Sequence, residues 1–427
     1  MALLIRSGRV VDPASGTDGV LDILIRGSRV EAIRPNIDAP GADVIDAAGL
    51  VVAPGFIDLH VHLREPGQTA KETILTGSRA AVKGGFTTVC AMPNTTPPQD
   101  HPEVIAYVRA EADRAGLVGV LPVGALTKGL RGAELTDMEA LSKAGAAAFS
   151  DDGKCIQDEA LMRRAMESAR KAGSFVIDHC EDTALAEGGV IHEGAVSRRL
   201  GLRGIPAAAE EAMVARDIKL AEAAGVRVHI AHLSTRGAAE LVRAAKRRGV
   251  PVTAEVTPHH LLLTESALEG RDPNFKMNPP LRGDDDAAAL LEAVRDGTVD
   301  VFATDHAPHT AAEKSAGIEG APFGVVGLET AVSLLLDRLV GRDILSLDRF
   351  VAMWTVKPAG VLGRRGLGRV APGGEADLTL LDLGREVIVD AAAFASKGRN
   401  TPFDGWALRG APVLTVRGGR VVYPFPS

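Results

Sequence analysis

Between Pro54 and about residue 359, short apolar runs alternate with longer segments of helical period. Strands that alternate with helices in this way form parallel sheets, and eight such units close into a barrel. The pattern therefore predicts an α/β fold, a (β/α)₈ (TIM) barrel. The predicted strands are residues 56–62, 87–92, 118–125, 146–150, 174–179, 226–232, 252–256 and 300–304. The predicted helices are residues 70–83, 103–115, 158–172, 208–224, 237–248 and 285–296.

The two ends of the chain share one sequence pattern, which differs from that of the middle. Short β-like runs split by Gly, Pro and Asp occur in the first fifty residues and again after residue 360. Neither end alone is long enough to bury a convincing core. We therefore predict that residues 1–53 and 360–427 form one small composite β-sandwich domain beside a barrel of residues 54–359. The alternative is two independent additions to the barrel.

Composition and charge exclude several classes of protein. Of 427 residues, 46% are hydrophobic and 24% charged, which is typical of a globular protein. The 48 basic and 55 acidic residues give a net charge of −7, and no Lys/Arg-rich run with interleaved aromatic residues suggests a nucleic-acid partner. No stretch approaches the ~20 apolar residues of a membrane span, and the N-terminus does not resemble a signal peptide. We therefore expect a cytoplasmic protein.

The three cysteines form no CxxC pair, so we expect reduced packing residues and neither a disulfide framework nor a cysteine zinc site.

Polar side chains gather where the predicted barrel strands end, which is where barrel enzymes carry their catalytic groups. His60 and His62 end the first strand and, being two residues apart, face the same side, into the barrel mouth. A polar side chain also lies at the end of most other strands. These residues are Asn94 after the second strand, Asp151 and Asp152 after the fourth, His179 at the fifth, His232 at the sixth and Asp305 at the eighth.

Imidazoles and carboxylates at five strand ends predict a metal site. Together they suit a borderline cation such as Zn²⁺, and a mixed set with an open position is typical of catalysis more than of structure. A carboxylate near the fourth strand could bridge two such ions. Metal-activated water requires no Ser or Cys nucleophile, and Asp305 could accept its proton and pass it to the leaving group.

Other histidines have structural interpretations. His229 lies three residues before His232, so we expect it on the opposite face of the strand. The pair His259 and His260 follows the seventh strand and is expected to support the barrel rim by hydrogen bonding. We expect His306 to face away from the site if its strand continues.

Eight motifs between residues 54 and 330 carry the polar residues at the strand ends and in the loops that follow them. They are PGFIDLHVHLREPG (54–67), AMPNT (91–95), FSDDG (149–153), DHCED (178–182), HIAHLST (229–235), KMNPPLR (276–282), ATDHAPH (303–309) and APFGVVGLET (321–330). Each motif alone would be weak, but together they are specific. The chain resembles the bacterial class I dihydroorotase family of the amidohydrolase superfamily. The resemblance implies a zinc-dependent cyclic-amide hydrolase that interconverts L-dihydroorotate and N-carbamoyl-L-aspartate in de novo pyrimidine biosynthesis.

Carried over residue by residue, the resemblance implies a site with one or two zinc ions, two being favoured. The implied ligands are His60, His62 and Asp305 for one ion and His179 and His232 for the other, with Asp152 bridging both. Asp305 would also be the catalytic proton carrier. The implied substrate contacts are His62, Arg64, Asn94, Asn278, His309 and the backbone around Phe323 and Gly324. Arg64 and Asn94 suit the free carboxylate of dihydroorotate.

The end of the fourth strand departs from the wider superfamily. Many relatives bridge their metals with a carbamylated lysine, whereas this chain has Asp151 and Asp152 there, and Lys154 is displaced. That difference counts against hydantoinases and allantoinases, which remain the first alternative. The choice of Asp152 over Asp151 rests on the resemblance alone, because the strand may end before either residue.

Three further expectations concern the surroundings of the site. The glycine-punctuated segment 307–324 is predicted to be a mobile lid, with a passive connection as the alternative. We expect a homo-oligomer that acts on a small-molecule substrate, and the family implies aspartate transcarbamoylase as a candidate partner. A catalytically weak structural partner of that enzyme is the second functional alternative.

Overall fold

In the computed structural model, which describes residues 2–425, all eight predicted barrel strands form and pair in parallel in chain order, which confirms the barrel. The strands are Phe56–Val61, Phe86–Ala91, Gly119–Ala125, Ala148–Ser150, Val176–Asp178, Val228–Ile230, Val252–Val256 and Val301–Phe302. The first and eighth strands meet beyond their ends, because the His62 N–H donates to the His306 carbonyl at 2.8 Å. The barrel is thus nearly closed.

The six predicted helices form, with their ends set by local caps. The first begins at Ile74 rather than at residue 70, because the Thr73 hydroxyl accepts the Thr76 N–H and starts the helix there. These helices are Ile74–Lys83, Pro102–Ala115, Glu159–Lys171, Ala207–Ala224, Arg236–Arg247 and Asp284–Asp296. Within residues 2–425, none of the helices combines the length and the apolar character needed to cross a membrane.

Further helices lie in the loops and after the eighth strand, where the sequence pattern is too short or too uniformly apolar to set helix bounds. The α-helices are Met138–Ala144, Thr183–Ala186, Ala195–Leu200, Pro258–Leu262, Ala311–Lys314, Gly317–Gly320, Ala331–Leu335, Leu347–Trp354 and Val356–Val361. Leu336–Val340 is a π-helix, and 3₁₀ turns occur at Lys128–Leu130, Glu265–Gly270, Pro273–Phe275 and Ala391–Ala393. Ile191–His192 and Gly204–Ile205 form a small parallel sheet.

Both ends of the chain contribute to one further sheet of eight strands, which confirms the composite β domain. The strands are Ala2–Asp12, Thr17–Arg26, Arg29–Arg34, Asp43–Asp46, Val51–Pro54, Leu378–Ile388, Ala407–Arg417 and Arg420–Tyr423. The two ends meet where Val51–Pro54 pairs antiparallel with Leu378–Ile388. The exact domain boundaries at residues 53 and 360 stay a prediction.

An aromatic cluster packs the last barrel helices against the strands. Trp354 is fully buried and lies with its ring centroid 5.1 Å from that of Phe86, 5.6 Å from that of Phe302 and 6.4 Å from that of Phe56. Phe56 and Phe86 begin their strands, so this packing lies at the amino ends of the barrel strands. The carboxyl ends remain for the polar side chains.

Candidate active site

The side chains predicted as metal ligands converge at the carboxyl ends of the barrel strands. Asp305 Oδ1 lies 3.1 Å from His62 Nε2 and 3.6 Å from His60 Nε2. Asp152 Oδ1 lies 3.2 Å from His60 Nε2, and Asp152 Oδ2 lies 3.4 Å from His62 Nε2. Residues from the first, fourth and eighth strands therefore meet at one point.

His179 and His232 lie next to the same aspartate. His179 Nδ1 is 2.9 Å from His232 Nε2, and Asp152 Oδ1 is 3.8 Å from His232 Nε2 and 3.9 Å from His179 Nδ1. All three side chains are buried. Asp152 is thus in reach of both predicted groups of ligands, which is the position that a bridging carboxylate needs.

Two buried acceptor atoms face each other inside this cluster. A carboxylate oxygen of Glu255 accepts from Nδ1–H of His60 at 2.6 Å, so that Nε2, when it carries no proton, presents its lone pair to the space beside Asp152. That nitrogen and Asp152 Oδ1 have no hydrogen-bond partner within residues 2–425. Orphaned buried polar atoms cost about 1–3 kcal/mol each, and a cation between them removes that cost. The residues therefore fit a metal ion, and both His60–His62–Asp305 and His60–Asp152–His232 can hold one.

The charges of the cluster favour a cation at the same place. Burial alone would lower the pKa of His60, but Asp152 and Glu255 raise that pKa well above its ordinary value. Burial alone would raise the pKa of Asp305, but a hydrogen bond from His62 and the neighbouring histidines hold it below its ordinary value. The site is therefore a buried concentration of ionised carboxylates that positive charge stabilises.

The structure separates the two aspartates that follow the fourth strand. The strand ends at Ser150, and Asp151 turns toward the third strand, where its Oδ1 accepts the N–H groups of Leu126 and Thr127 at 2.8 and 3.0 Å. Asp152 faces the histidines. Asp151 thus fixes the backbone at the strand end, while Asp152 is the carboxylate available to a metal.

Glu255 is a buried carboxylate that the sequence pattern did not single out. It lies in the seventh strand, and its Oε2 is 3.1 Å from His229 Nε2 while its Oε1 accepts from His60. His229 in turn contacts Thr253 Oγ1 at 2.8 Å and not the ligand cluster. The sequence signal that could have identified it is the presence of a glutamate within the largely apolar run 252–256. Because a metal-binding imidazole needs its ring orientation and tautomer fixed, Glu255 supports His60.

Asn94 fixes the ring orientation of His62, as Glu255 does for His60. The Asn94 amide oxygen can only accept, so the contact of 2.8 Å to His62 Nδ1 is a hydrogen bond donated by the imidazole. The Nε2 atom of His62 is then directed to Asp152 and Asp305.

All the predicted substrate contacts line one cavity of about 180 Å³ next to the ligand cluster. Its lining includes His62, Arg64, Asn94, Asn278, His309, Phe323 and Gly324, together with Asp152, His179, His232 and Asp305. His60 is fully buried. The structure therefore brings every predicted site residue into one region, although their roles in binding and catalysis stay predictions.

Arg64 enters the cavity by a different route from the expected continuation of the strand. The first strand ends at Val61, and Arg64 has a φ of 60°, so a turn directs its side chain inward. Its Nε donates to the Pro308 carbonyl at 3.2 Å. Burial lowers the pKa of Arg64 to about 10, which leaves the guanidinium charged at neutral pH. Arg64 thus supplies a fixed positive charge beside the predicted metal ligands.

The segment 307–324 forms the opposite side of the cavity. His309 Nε2–H donates to the Phe323 carbonyl at 2.8 Å, and burial, with the charge of Arg64, lowers the pKa of His309 to about 3. His309 is therefore neutral at physiological pH. At Gly324 a Cβ atom would lie 2.8 Å from that of Ala307, and φ is 131°, so only glycine fits this close approach.

Two histidines near the site have structural partners. His260 Nε2 donates to the Pro279 carbonyl at 2.8 Å, and its Nδ1 accepts from the Thr257 hydroxyl at 2.8 Å, which agrees with a supporting role at the rim. His306 Nε2 faces Glu72 Oε2 at 3.3 Å and not the predicted metal ligands.

A third group with metal-ligand side chains, Asp178, Cys180 and Asp217, lies behind His179. Arg216 already neutralises it, with Nε 2.8 Å from Asp217 Oδ1. Cys180 Sγ lies 3.6 Å from Asp178 Oδ2, and burial raises the pKa of this thiol well above its ordinary value. Among residues 2–425 the three cysteines are free and buried, as expected.

Comparison with known proteins agrees with this geometry. Residues 49–238 match the family model described as Dihydro-orotase-like. The chain is 53% identical over 422 residues to a dihydroorotase from Pelotomaculum thermopropionicum, covering 99% of this chain and 98% of the relative. It is 49% identical over 423 residues to a dihydroorotase from Bacillus cytotoxicus, with coverage of 99% and 98%.

Solved structures of similar fold are hydantoinases. The L-hydantoinase (dihydropyrimidinase) from Arthrobacter aurescens superposes with a TM-score of 0.88 at 27% identity, covering 98% of this chain and 95% of that one. The D-hydantoinase (dihydropyrimidinase) from Thermus sp. gives a TM-score of 0.82 at 27% identity, with coverage of 98% and 94%.

The contact between Glu255 and His60 generates a prediction about metal affinity. Glu255→Gln removes the negative charge that makes the Nε2 atom of His60 a stronger electron-pair donor to a metal ion. We therefore expect metal affinity to fall about 10- to 100-fold. Competition with a chromophoric chelator measures this directly. The matched control is Thr253→Val, two residues earlier on the same strand, whose hydroxyl contacts His229. Equal metal affinity in the Glu255→Gln variant and the wild type would contradict the role of Glu255 in supporting His60.

The similarity to the two dihydroorotases extends over nearly the full length of all three chains and is much higher than the 27% identity to the hydantoinases. This chain belongs to the dihydroorotase family of the amidohydrolase superfamily.

Proposed function

We propose that this protein catalyses the reversible hydrolysis of L-dihydroorotate to N-carbamoyl-L-aspartate in de novo pyrimidine biosynthesis. The observation that carries the proposal is the placement of Arg64 and Asn94 in the cavity that the metal-type ligands border. An anionic cyclic amide requires a cation for its carboxylate and an electrophilic centre for its ring carbonyl. The cavity of about 180 Å³ contains Arg64 as the cation, and the ligand-type side chains that border it could hold the metal ion that would be the electrophilic centre.

Zinc is the metal that we propose, with one or two ions per subunit and two favoured. His60, His62 and Asp305 would hold one ion, and His179 and His232 the other, with Asp152 shared. When bound, zinc polarises a carbonyl oxygen and lowers the pKa of coordinated water from 15.7 to about 7. The imidazole and carboxylate donors suit this borderline ion.

Asp305 is the residue that we propose to move the proton. Its carboxylate is ionised at neutral pH because His62 and the neighbouring histidines hold its pKa below the ordinary value despite burial, which by itself would raise it. During hydrolysis Asp305 accepts the proton of the attacking water and delivers it to the ring nitrogen as the amide bond breaks. During cyclisation it takes the proton from the attacking nitrogen and returns it to the departing water.

The other side chains bind and orient the substrate. The guanidinium of Arg64 can form two parallel hydrogen bonds to the dihydroorotate carboxylate, with Asn94 beside it. Asn278 Oδ1 is buried and has no hydrogen-bond partner among the residues that the structure describes, so it can accept an N–H of the ring. The neutral His309 and the backbone at Phe323 and Gly324 complete the opposite wall.

The alternatives are less well supported. Hydantoinases share the fold, but identity to the L-hydantoinase from Arthrobacter aurescens is 27% compared with 53% to a dihydroorotase. The aspartates at the end of the fourth strand, where the resemblance implies a lysine in many relatives of the wider superfamily, also count against that alternative. A catalytically weak scaffold would not need the six ligand-type side chains that converge here. We further propose a cytoplasmic homo-oligomer, with aspartate transcarbamoylase as its candidate protein partner, on the basis of the family alone.

The direct test compares three substrates. Purified, zinc-replete protein is expected to hydrolyse L-dihydroorotate, to lose this activity on chelation and to regain it with zinc, while hydantoin and allantoin react little. A spectrophotometric assay follows each reaction. Preference for hydantoin or allantoin would overturn the substrate, and inactivity on all three with zinc bound would favour the scaffold alternative.

Replacement of Asp305 tests the proton carrier. Asp305→Ala is expected to lower kcat by about 10³-fold or more, because both the proton acceptor and a ligand are lost. Circular dichroism and thermal unfolding should remain close to wild type. The control is Asp285→Ala, which removes an aspartate whose side chain is 89% exposed. Turnover of Asp305→Ala near the wild-type rate would require a different proton carrier.

Replacement of Arg64 tests recognition of the carboxylate. Arg64→Ala is expected to raise KM for dihydroorotate about 10- to 100-fold, since a charge-assisted hydrogen bond contributes about 1.5–3 kcal/mol. Arg64→Lys keeps the charge but not the two-pronged geometry and should fall between alanine and wild type. Steady-state kinetics gives both constants. A KM unchanged in Arg64→Ala would place the carboxylate elsewhere.

A further inference from the structure

A segment from the C-terminal part of the chain lies against the barrel mouth. The connection between the strands Leu378–Ile388 and Ala407–Arg417 packs beside the start of segment 307–324. At Gly398 in this connection, a Cβ atom would come within 2.7 Å of Pro308 and of Val326. The N–H of Ser396 donates to Glu329 Oε1 at 3.0 Å. The connection is therefore anchored on the barrel next to the proposed substrate cavity.

Asn400, which is 3% exposed, forms the closest link between this connection and the cavity wall. Its Oδ1 accepts the His309 N–H at 3.1 Å. Its Nδ2 donates to the carbonyls of Ala307 and Gly324, both at 3.0 Å. Its own carbonyl accepts the Val326 N–H at 2.9 Å. One side chain thus joins both ends of segment 307–324 through the backbone.

The two ends that Asn400 joins are the ends that face the substrate cavity. His309 and Gly324 both line it, and neither belongs to a helix or strand that would fix its position. Three other hydrogen bonds hold these ends, from the Ala307 N–H to the Val325 carbonyl at 2.8 Å, from the Gly324 N–H to the Lys276 carbonyl at 3.0 Å and from His309 Nε2–H to the Phe323 carbonyl at 2.8 Å. None of them satisfies the backbone N–H of His309 or the carbonyls of Ala307 and Gly324 that Asn400 contacts. Without the Asn400 side chain, one buried N–H and two buried carbonyls would lose a partner.

We infer that Asn400 is a positioning residue that fixes the spacing of His309 and Gly324. This side of the cavity is then ordered before substrate binds. The link itself rests on the contacts of Asn400, whereas its effect on dihydroorotate rests on the proposed function. With both ends of the segment held, motion of the predicted lid is confined to the residues between them. A preorganised wall lowers the ordering cost of binding.

Only an amide of this length satisfies all three backbone groups. Aspartate would keep an acceptor for the His309 N–H but would place a second carboxylate oxygen against the carbonyls of Ala307 and Gly324. Alanine would leave all three groups without this partner. Asn400→Asp therefore weakens the link by repulsion at nearly constant side-chain volume. Asn400→Ala weakens it by loss of the hydrogen bonds and reduces the side-chain volume.

The experiment compares Asn400→Ala and Asn400→Asp with Thr401→Val. Thr401 is an adjacent control with 4% exposure, and its hydroxyl accepts the Phe403 N–H at 3.3 Å within the same connection. We expect Asn400→Ala to raise KM for dihydroorotate about tenfold with kcat changed less than about threefold, and Asn400→Asp to raise KM at least as much. Thr401→Val should match wild type. An unchanged KM in both Asn400 variants, or equal effects in Thr401→Val, would overturn the inference.

Hydrogen exchange supplies a readout that does not depend on turnover and that separates a local change from a general loss of structure. In the wild type, the His309 amide should exchange slowly because the Asn400 side chain accepts from it, and the Val326 amide because the Asn400 backbone carbonyl accepts from it. Substitution of Asn400 removes only the first of these bonds, so the His309 amide is the direct reporter. In Asn400→Ala, faster exchange should be confined to the peptides around residues 307–326. Rapid exchange of both amides in the wild type, or a uniform increase throughout the variant, would contradict positioning. If the wild type fails to hydrolyse dihydroorotate, the proposed function fails, while these exchange rates still decide whether the link exists.

Discussion

The burial of several carboxylates among histidines is the constraint on which this structure depends. Asp152, Asp305 and Glu255 all lie within hydrogen-bond or near-contact distance of imidazoles at the barrel mouth, and all are buried. Such charges are stable away from water only when positive charge and fixed donors surround them. The barrel meets this requirement by ending its strands at one place, so that ligands from distant parts of the sequence share a small volume.

The sequence predicted the barrel well because the relevant signal is local. Each buried parallel strand is a short apolar run, and polar residues at its end interrupt that run. Strand parity placed His60 and His62 on the same side, and the first strand shows this. Parity could not place Arg64, since the strand ends at Val61 and a residue with positive φ redirects the chain.

What could not be predicted depends on contacts between distant residues. The choice between Asp151 and Asp152 is made by the N–H groups of Leu126 and Thr127, which hold Asp151 at the third strand. Glu255 is hidden inside a strand, where its partner His60 lies 195 residues away. Asn400 has no motif around it that marks a site, and only its distances to segment 307–324 reveal it.

The shared sheet of the two chain ends has a consequence for biosynthesis. The strand Val51–Pro54 comes directly before the first barrel strand and pairs with Ala2–Asp12 on one side and with Leu378–Ile388 on the other. The Phe56 N–H likewise donates to the hydroxyl of Thr379, 323 residues later. Since a ribosome makes the N-terminal part first, the C-terminal one of these two sheet partners is missing until most of the chain has emerged. The sheet contacts that hold the strand with His60 and His62 are therefore completed only after translation of the barrel itself has finished.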